Sequence, residues 1–508
     1  MSWNVPMVVL GVLPLVIIPL QSIAEQISPT TYWPTQGWRT TTPEEEGFDS
    51  AKLAEALLTI REKDIDIHSL LIIRDGAVVV DAYFYPYDGN TVHELASVTK
   101  SVMTTLIAIA AGQGKLELDQ PMVSYFSNNT IANLDGLKEH ITIRHLASMS
   151  SGLNCTQESD EATLREMKAS PDWVRFTLDR KAVWQPGTNF VYCSPGMHLL
   201  SAILQHTTGM TALDFARQNL FEPLGIHDVI WLTDPQGYNR GSEGVYLHPY
   251  DMAKIGYLWL NNGQWDGKQI VSQEWVENSV KAQFETGDGD DYGYGWWVQT
   301  DEPQSYTASG RGGQRITVVP SWNLIVATTG GGFSFDEIEP LLAPTFIDMN
   351  NSLRANPTAV SKLEAVLTAI SQPPAPQPVA PLPDMARAIS GKTFVFESNA
   401  LGIEKVSLEF NNNSTEAILH VTLREGGQMP PWPIGLDGVY RLSPGEYNLQ
   451  QGNRGYWADA QTFVLEHDGI ASNDHILLLM HFVGDRVIVE GQETDHELGV
   501  RLEGRIQS

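Results

Sequence analysis

The chain has 508 residues, of which 42% are hydrophobic, and a formal net charge of −29 from 61 acidic and 32 basic residues. This length leaves room for more than one domain. The acidic excess, with no basic stripe to offset it, argues against nucleic acid or an anionic membrane surface as a partner. It favours a solvated surface that keeps the protein soluble.

An apolar run of signal-peptide length, MSWNVPMVVLGVLPLVIIPL, opens the chain. Ser22 and Ala24 supply the small residues of a cleavage site, so residues 1–24 are predicted to be a signal peptide. The protein is therefore expected to be exported, to the periplasm or the medium. No Lys or Arg precedes the run, and an uncleaved anchor is the alternative, the only expected membrane contact. Three prolines and the short length count against a stable spanning helix.

A helix, a hairpin and several late strands follow. Residues 49–63 have helical periodicity, with Asp49 or Ser50 as the N-cap. Residues 68–85 predict a hairpin that turns at Asp75-Gly76. Helical patterns alternate with loops in the middle of the chain, and strand patterns return in YGYGWWVQT, QSYTASG, QRITVVP and NLIVATTGGG. This order predicts one antiparallel sheet completed by both ends of the domain.

The composition changes at residues 372–383, QPPAPQPVAPLP, where half of the residues are proline. Such a segment predicts an extended, semi-rigid linker. Short strand patterns separated by turn residues follow and predict a small barrel or sandwich over residues 384–508. The first domain is therefore predicted to span residues 25–371.

Ser97 and Lys100 lie three residues apart in HELASVTKSVMTTLIAIAAGQGKLELD, at the start of an almost wholly apolar helix. Their side chains share one face of that helix. The helix N-terminus favours developing negative charge, and a desolvated lysine has a lowered pKa and can help to remove the serine proton. For the pair alone, the alternative is a serine cap and a lysine that reaches the surface.

Cys155 and Cys193 are the only cysteines. No His-Cys or His-Glu spacing accompanies them, so no metal site is expected. Two buried thiols are favoured over a disulfide, because the sequence does not show that their Cα atoms come close enough.

Other segments widen the pattern around Ser97, namely ITIRHLASMSSGL, WQPGTNFVYCSPGMHLLSAILQHTTGM, YGYGWW and ASGRGGQRITVVPSWNLIVATTG. Together they resemble the serine β-lactamase and penicillin-binding-protein superfamily over about residues 45–345. Within it, the chain is most similar to class C β-lactamase-related hydrolases, which include esterases, D-aminopeptidases and 6-aminohexanoate-dimer hydrolases. The resemblance implies an α+β (α/β) fold, with an antiparallel sheet flanked by helices and a helical subdomain.

The resemblance also implies site residues. Ser97 is expected to be the acylated nucleophile, with Lys100 beside it, and Tyr192 of the tripeptide YCS the general base, held as phenolate by the lysine. The backbone N–H groups of Ser97 and Gln314 are expected to form the oxyanion hole. The expected substrate-binding residues are Ser194, Arg311, Gly312, Gly313, Trp296 and Trp297.

The function implied is a serine hydrolase for a small amide or ester, without metal or organic cofactor and of open oligomeric state. Ser194 stands where most β-lactamases have Asn, and Gly312 where they have Thr, so efficient β-lactam hydrolysis is not expected. Arg311 is expected either to bind a substrate carboxylate or to face solvent. The alternatives are β-lactamase, D-aminopeptidase or penicillin-binding activity, and a non-catalytic envelope scaffold.

The C-terminal segments GLDGVYRL, NRGYWADAQTFVLE and HFVGDRVIVEG resemble lipocalin-like domains appended to some of these hydrolases. The implied barrel is expected to bind an apolar ligand, to cover the hydrolase or to mediate oligomers.

Overall fold

The structure, a computed structural model, describes residues 32–155, 161–287, 289–399, 401–411, 414–493 and 500–507. Trp33–Ser508 form one compact unit. The predicted signal peptide lies outside the described residues. Within the described part of the chain, no helix is long and apolar enough to cross a membrane.

The amino-terminal part of this unit combines a sheet with helices. Its strands are β1 Arg39–Thr40, β2 Ile67–Arg74, β3 Ala77–Tyr83, β4 His93–Glu94, β5 Ile230–Trp231, β6 Val245–Leu247, β7 Gln264–Trp265, β8 Lys268–Gln269, β9 Asp291–Tyr292, β10 Trp297–Gln299, β11 Ser305–Gly310, β12 Gln314–Val319 and β13 Leu324–Gly330. Its α-helices are α1 Ser50–Glu62, α2 Val98–Gly112, α3 Ile143–Ala147, α4 Ala162–Ala169, α5 Trp173–Leu178, α6 Ser194–Thr208, α7 Ala212–Ala216, α8 Glu222–Leu224, α9 Pro249–Leu260, α10 Gln273–Ser279, α11 Phe335–Leu342 and α12 Pro357–Ile370.

The main sheet has the strand order β1-β3-β2-β13-β12-β11-β10-β9. Its pairs are antiparallel except the short parallel pair of β1 and β3. The early hairpin turns at Asp75 (φ 48°) and Gly76 (φ 73°), and β2 pairs with β13 from the end of the domain. The predicted sheet, completed by both ends of the domain, is confirmed.

Helices cover both faces of this sheet, which explains why every residue of β2 is buried. Leu71 and Ile73 pack in the cluster that contains α2 and α9, whereas Leu70 and Ile72 pack with α1 and α12 on the opposite face. Helix α1 begins as predicted, because the Asp49 carboxylate accepts hydrogen bonds from the backbone N–H groups of residues 51 and 52. Helices α3 to α8 form the helical subdomain beside α2.

The C-terminal part begins with helix α13, Asp384–Ile389, and continues as strands. These are β14 Thr393–Phe396, β15 Ile403–Phe410, β16 Glu416–Leu423, β17 Gly427–Gln428, β18 Trp432–Gly435, β19 Arg441–Pro444, β20 Gln450–Trp457, β21 Thr462–Asp468, β22 His475–Val483, β23 Arg486–Glu493 and β24 Val500–Ile506. Nine of these described strands close into a barrel in the order β15-β14-β24-β23-β22-β21-β20-β18-β16, and β16 returns to β15. Buried aromatic side chains, among them Phe394, Phe463 and Phe482, pack in its interior.

An ion-pair cluster joins the barrel to the sheet domain. His475 at the start of β22 lies 2.9 Å from an oxygen of Asp66, which precedes β2, and 3.0 Å from Glu466 of β21. Asp468 adds a further carboxyl charge nearby. Burial opposes the charged imidazole, but the hydrogen bonds to Asp66 and Glu466 outweigh it and raise the pKa of His475 to about 10. The histidine is therefore a cation at neutral pH and bridges the two parts.

We expect this cluster to make stability depend on pH. A pKa raised above its unfolded value of about 6.5 stabilises the protein fully below pH ~6.5, and the contribution is lost as pH rises through about 10. Between pH 6 and pH 10, the wild type should lose about 2 kcal/mol more unfolding free energy than His475→Gln, because two charge-assisted hydrogen bonds weaken. Thermal unfolding at both pH values measures this. His420→Gln, at a barrel histidine paired with Glu409, is the control, and parallel pH profiles for wild type and His475→Gln would contradict the expectation.

Candidate active site

The candidate site is built around the N-terminus of helix α2. Ser97 is the N-cap residue of this helix, and Ala96 before it has φ 45°. This left-handed conformation costs an alanine about 1–2 kcal/mol. Leu95 and Val98, both fully buried, hold the chain on either side of it. The packed core therefore fixes a strained turn that presents the partly exposed Ser97 side chain at the helix end.

The three predicted catalytic residues lie together. The Lys100 Nζ atom is 2.7 Å from Ser97 Oγ and donates a second hydrogen bond to the Ser242 carbonyl oxygen at 3.1 Å. It also lies 4.7 Å from the centre of the Tyr192 ring. The Tyr192 hydroxyl lies near enough to the Ser97 side chain for the serine to lower the pKa of the tyrosine, against the larger effect of burial. The serine hydroxyl thus has two polar partners that are able to move its proton.

Burial changes the proton affinity of both partners. It lowers the pKa of Lys100, although the charges of Glu161 and Glu243 oppose the change. Burial also raises the pKa of Tyr192, and the negative charge of Glu161 adds to the increase. Both shifts favour the neutral forms of the two groups, and the phenolate role of Tyr192 stays a prediction.

Glu161 is a site residue that the sequence reasoning missed. It directly precedes helix α4, and its carboxylate accepts a hydrogen bond from the buried Ser194 hydroxyl. Its charge acts on Lys100 and Tyr192. The predicted substrate-binding residue Ser194 thus presents a carboxylate to the site. No motif in the sequence marks position 161.

The two predicted wall tryptophans point in different directions. Trp297 is partly exposed and stacks on Tyr192, with ring centres 5.9 Å apart. Trp296 is fully buried between Trp259 and Tyr306. Consecutive side chains at a strand point to opposite faces, so the prediction was wrong for Trp296, which is a core residue, while Trp297 lies against Tyr192.

The strand residue beside Ser97 is Gly310, not Gly312 or Gly313 as predicted. A Cβ atom on Gly310 would lie 2.9 Å from the Ser97 amide nitrogen. On Gly312 it would meet Asn473 of the barrel at 2.5 Å, and on Gly313 the Phe333 ring at 2.1 Å. Strand β11 ends at Gly310, and the helical turn Arg311–Gly313 then carries the chain away from the helix end.

Gln314, the predicted second oxyanion-hole residue, directly follows this turn. It begins β12 opposite Gly310, and its fully buried side chain donates to and accepts from the Gly330 backbone at 2.6 and 3.2 Å. It therefore ties β12 to the end of β13. That its backbone N–H forms part of the oxyanion hole stays a prediction, because these contacts are made by the side chain.

The Arg311 guanidinium is held by the barrel. It donates to the Asn473 side-chain oxygen at 3.0 Å and lies 3.8 Å from an oxygen of Asp474. The side chain is exposed, as one of the two expectations had it, and a protein amide and a carboxylate also engage it.

Cys155 and Cys193 form a disulfide bond, with Cα atoms 5.5 Å apart. The expectation of two buried thiols was wrong, because the fold brings the segment after Leu153 against the N-terminus of α6, where Cys193 is the N-cap residue. The bond anchors the residue between Tyr192 and Ser194. Within the described ranges, no group of three His, Cys, Asp or Glu side chains is arranged to hold a metal ion.

Comparison with known proteins identifies the family. A family model described as Beta-lactamase matches residues 60–334, more than half of the chain. The chain belongs to the β-lactamase family. The β-lactamase-like domain is 23% identical over 278 residues to 6-aminohexanoate-dimer hydrolase of Paenarthrobacter ureafaciens, covering 51% of this chain and 71% of that protein.

Two further relatives bear on the family and the fold. A β-lactamase of Escherichia coli K12 is 24% identical over 322 residues, 56% of this chain and 82% of that protein. The solved structure of a candidate 6-aminohexanoate-dimer hydrolase from Bacillus anthracis has a TM-score of 0.52 at 19% identity, and covers 63% of this chain and 89% of that one. This β-lactamase family member therefore has the expected β-lactamase/transpeptidase-like fold, followed by a closed nine-stranded barrel.

Proposed function

We propose that the protein is a two-step acyl-transfer hydrolase of small amides or esters, with Ser97 as nucleophile. One observation carries this proposal: the Ser97 hydroxyl lies 2.7 Å from a fully desolvated lysine amine at a helix N-terminus. A serine hydroxyl is a weak nucleophile until a neighbouring base takes its proton. A buried lysine with a lowered pKa supplies that base at a lower pH than an exposed lysine does.

The geometry supports a defined proton route. The neutral Lys100 amine takes the Ser97 proton as Oγ bonds to the carbonyl carbon of the substrate, and the C=O electron pair moves to the oxygen. Tyr192 gives its proton to the leaving amine or alkoxide as that bond breaks, and Lys100 returns a proton to Tyr192. Water then attacks the acyl-enzyme by the reverse path and releases Ser97 and the carboxylic acid. In this route Tyr192 relays the proton, and Lys100 replaces it as the general base.

The oxyanion hole requires two backbone donors near Ser97. The Ser97 N–H lies at the start of α2, and Gly310 lies against it. Arg311 directly follows Gly310, so the Arg311 backbone N–H is our candidate for the second donor. Gly310 allows the strand to approach this closely because a side chain there would overlap the Leu95 carbonyl oxygen at 2.6 Å.

The substrate class follows from the charges and from the relatives. The names of two relatives, a 6-aminohexanoate-dimer hydrolase and a β-lactamase, support amide-bond cleavage, and the same acyl-enzyme chemistry serves esters. The expectation against efficient β-lactam hydrolysis rested partly on Gly312. That part no longer holds, because Gly310 is the glycine beside the nucleophile. The Glu161 carboxylate at Ser194 still disfavours an anionic substrate group at that position.

The Cys155–Cys193 bond supports the proposed export, since disulfides persist in oxidising compartments.

Labelling with a fluorophosphonate tests the proposal directly. Trypsin cleavage after Arg74 and Lys100 releases residues 75–100, a peptide in which Ser97 is the only serine. We expect a single adduct on this peptide, together with turnover of p-nitrophenyl acetate or of a small aryl amide.

The internal control is the following tryptic peptide, residues 101–115, which contains Ser101 and should stay unlabelled. An adduct elsewhere would overturn the nucleophile assignment. Faster turnover of nitrocefin than of every ester and amide would favour a β-lactamase, and no turnover with no adduct would favour a non-catalytic scaffold.

A further inference from the structure

A loop of the C-terminal barrel reaches the candidate active site. Residues 469–474 connect β21 to β22 and are called the barrel loop below. Local hydrogen bonds order the loop. Asp468, which directly precedes it, accepts one from the Ile470 N–H at 2.6 Å, and the Ser472 hydroxyl accepts one from the Asp474 N–H at 3.1 Å. Its apolar tip, Ile470 and Ala471, is buried against Tyr87 of the hydrolase domain. The loop is therefore a preformed part of the interface.

The tip of the barrel loop holds the segment that leads to Ser97. The Ala471 carbonyl oxygen accepts a hydrogen bond from the Glu94 N–H at 2.8 Å. Glu94 lies in β4, three residues before Ser97, and the next residue, Leu95, donates to the Val245 carbonyl oxygen at 2.8 Å. Barrel and hydrolase backbones thus fix adjacent peptide groups just ahead of the strained residue Ala96.

Closer to β22, the barrel loop also holds the end of strand β11, which faces Ser97. The Asn473 side chain is only 2% exposed. Its amide nitrogen donates to the Arg311 carbonyl oxygen at 3.2 Å, and its amide oxygen accepts from the Arg311 guanidinium at 3.0 Å. Gly312 leaves the room for this contact, since a Cβ atom there would lie 2.5 Å from the Asn473 Cβ. A buried asparagine of the barrel therefore clamps Arg311 through both its main chain and its side chain.

We propose that Asn473 is a positioning residue for the oxyanion hole, so that the barrel completes the active site of the hydrolase domain. This inference rests on the proposed function, in which Arg311 supplies the second N–H donor. The barrel loop is bonded to both chain segments that carry the two donors, residues 94–97 and residues 310–311. Donors of this kind stabilise the developing oxyanion only when they are held rigidly at the right place. The clamped carbonyl belongs to the Arg311–Gly312 peptide and the proposed donor to the preceding one, so loss of the clamp frees the Arg311 backbone and moves its N–H.

The test replaces Asn473 with alanine in the full-length chain. We expect kcat for p-nitrophenyl acetate to fall about 10- to 100-fold, with KM changed less than about threefold, because a supporting hydrogen bond to the transition-state donor is removed. Asn473→Asp keeps an acceptor for the guanidinium but removes the donor to the Arg311 carbonyl, and it should lose a similar factor. Asn411→Ala, at an exposed asparagine of the barrel, is the matched control and should behave as wild type.

A thionoester substrate separates positioning from a general loss of structure. Sulfur accepts hydrogen bonds poorly, so an intact oxyanion hole favours the ester over its thiono analogue, and Asn473→Ala should narrow that ratio about as much as it lowers the ester kcat. Wild-type kinetics in Asn473→Ala, or an equal loss on both substrates, would overturn this inference alone. If the wild type itself shows neither turnover nor a Ser97 adduct, the proposed function fails and this inference fails with it.

Discussion

Ser97→Ala is expected to lower kcat/KM for the best ester or amide by about 10⁴-fold or more. The substitution removes the atom that forms the acyl-enzyme, and the lysine and tyrosine beside it have nothing left to activate. The variant should also lose the fluorophosphonate adduct on the peptide of residues 75–100. Steady-state hydrolysis and intact-protein mass spectrometry measure the two losses in the same preparation.

Ser101→Ala is the matched control for Ser97→Ala. Ser101 lies one turn further along α2, is buried, and donates to the Gly295 carbonyl oxygen at 2.5 Å. Its removal should cost about 1 kcal/mol of stability and leave kcat/KM within a fewfold of wild type. Retention of most activity in Ser97→Ala would reject Ser97 as the nucleophile, whatever the control shows.

Lys100→Met is expected to lower kcat by about 10³-fold, because it removes the proposed general base. Methionine is an apolar side chain of similar length, so it still fills this buried site. The pH profile provides the sharper measurement. In the wild type, the basic amine becomes more abundant as pH rises, and burial lowers its pKa from the usual ~10.4. The kcat/KM profile should therefore rise with pH along a limb whose apparent pKa lies below ~10.4, and Lys100→Met should lack this limb.

Lys138→Met provides the matched control for Lys100→Met. Lys138 is fully buried as well and donates to the carbonyl oxygens of Ala132 and Leu178 at 2.6 and 2.8 Å. Its replacement leaves these acceptors without their cation and should lower the melting temperature, whereas kcat per folded molecule and the pH limb should persist. A Lys100→Met enzyme that keeps the pH limb would assign the base to another group.

The sequence was most informative where local spacing decides the geometry. The Ser97–Lys100 spacing predicts one helix face, and the structure places their side-chain atoms 2.7 Å apart. The hairpin at Asp75-Gly76 and the N-cap Asp49 were likewise predicted from local rules and are confirmed. These features depend on neighbours in the chain, so a single sequence is enough to find them.

The errors arose where contacts between distant segments decide the geometry. Which glycine lies beside Ser97 depends on where β11 ends. The glycine-rich segment SGRGGQ does not by itself determine that position. The disulfide and the Glu161–Ser194 contact depend on how the helical subdomain packs. The Asn473 clamp crosses between the two parts of the compact unit. In the C-terminal part, β18 and β19 contain proline and β20, QQGNRGYW, lacks β-branched residues, so local strand propensity does not mark these three strands.

The pairing of β2 with β13 has a consequence for biogenesis. Strand β2 is wholly buried and carries the run SLLII, yet one of its two sheet partners arrives only when Leu324–Gly330 have been synthesised. Until then the growing chain exposes an apolar strand with an unsatisfied backbone edge, which is a template for aggregation. Such long-range pairing also makes folding slow. We therefore expect the nascent protein to be prone to aggregation through this segment until the last strand of the sheet is available.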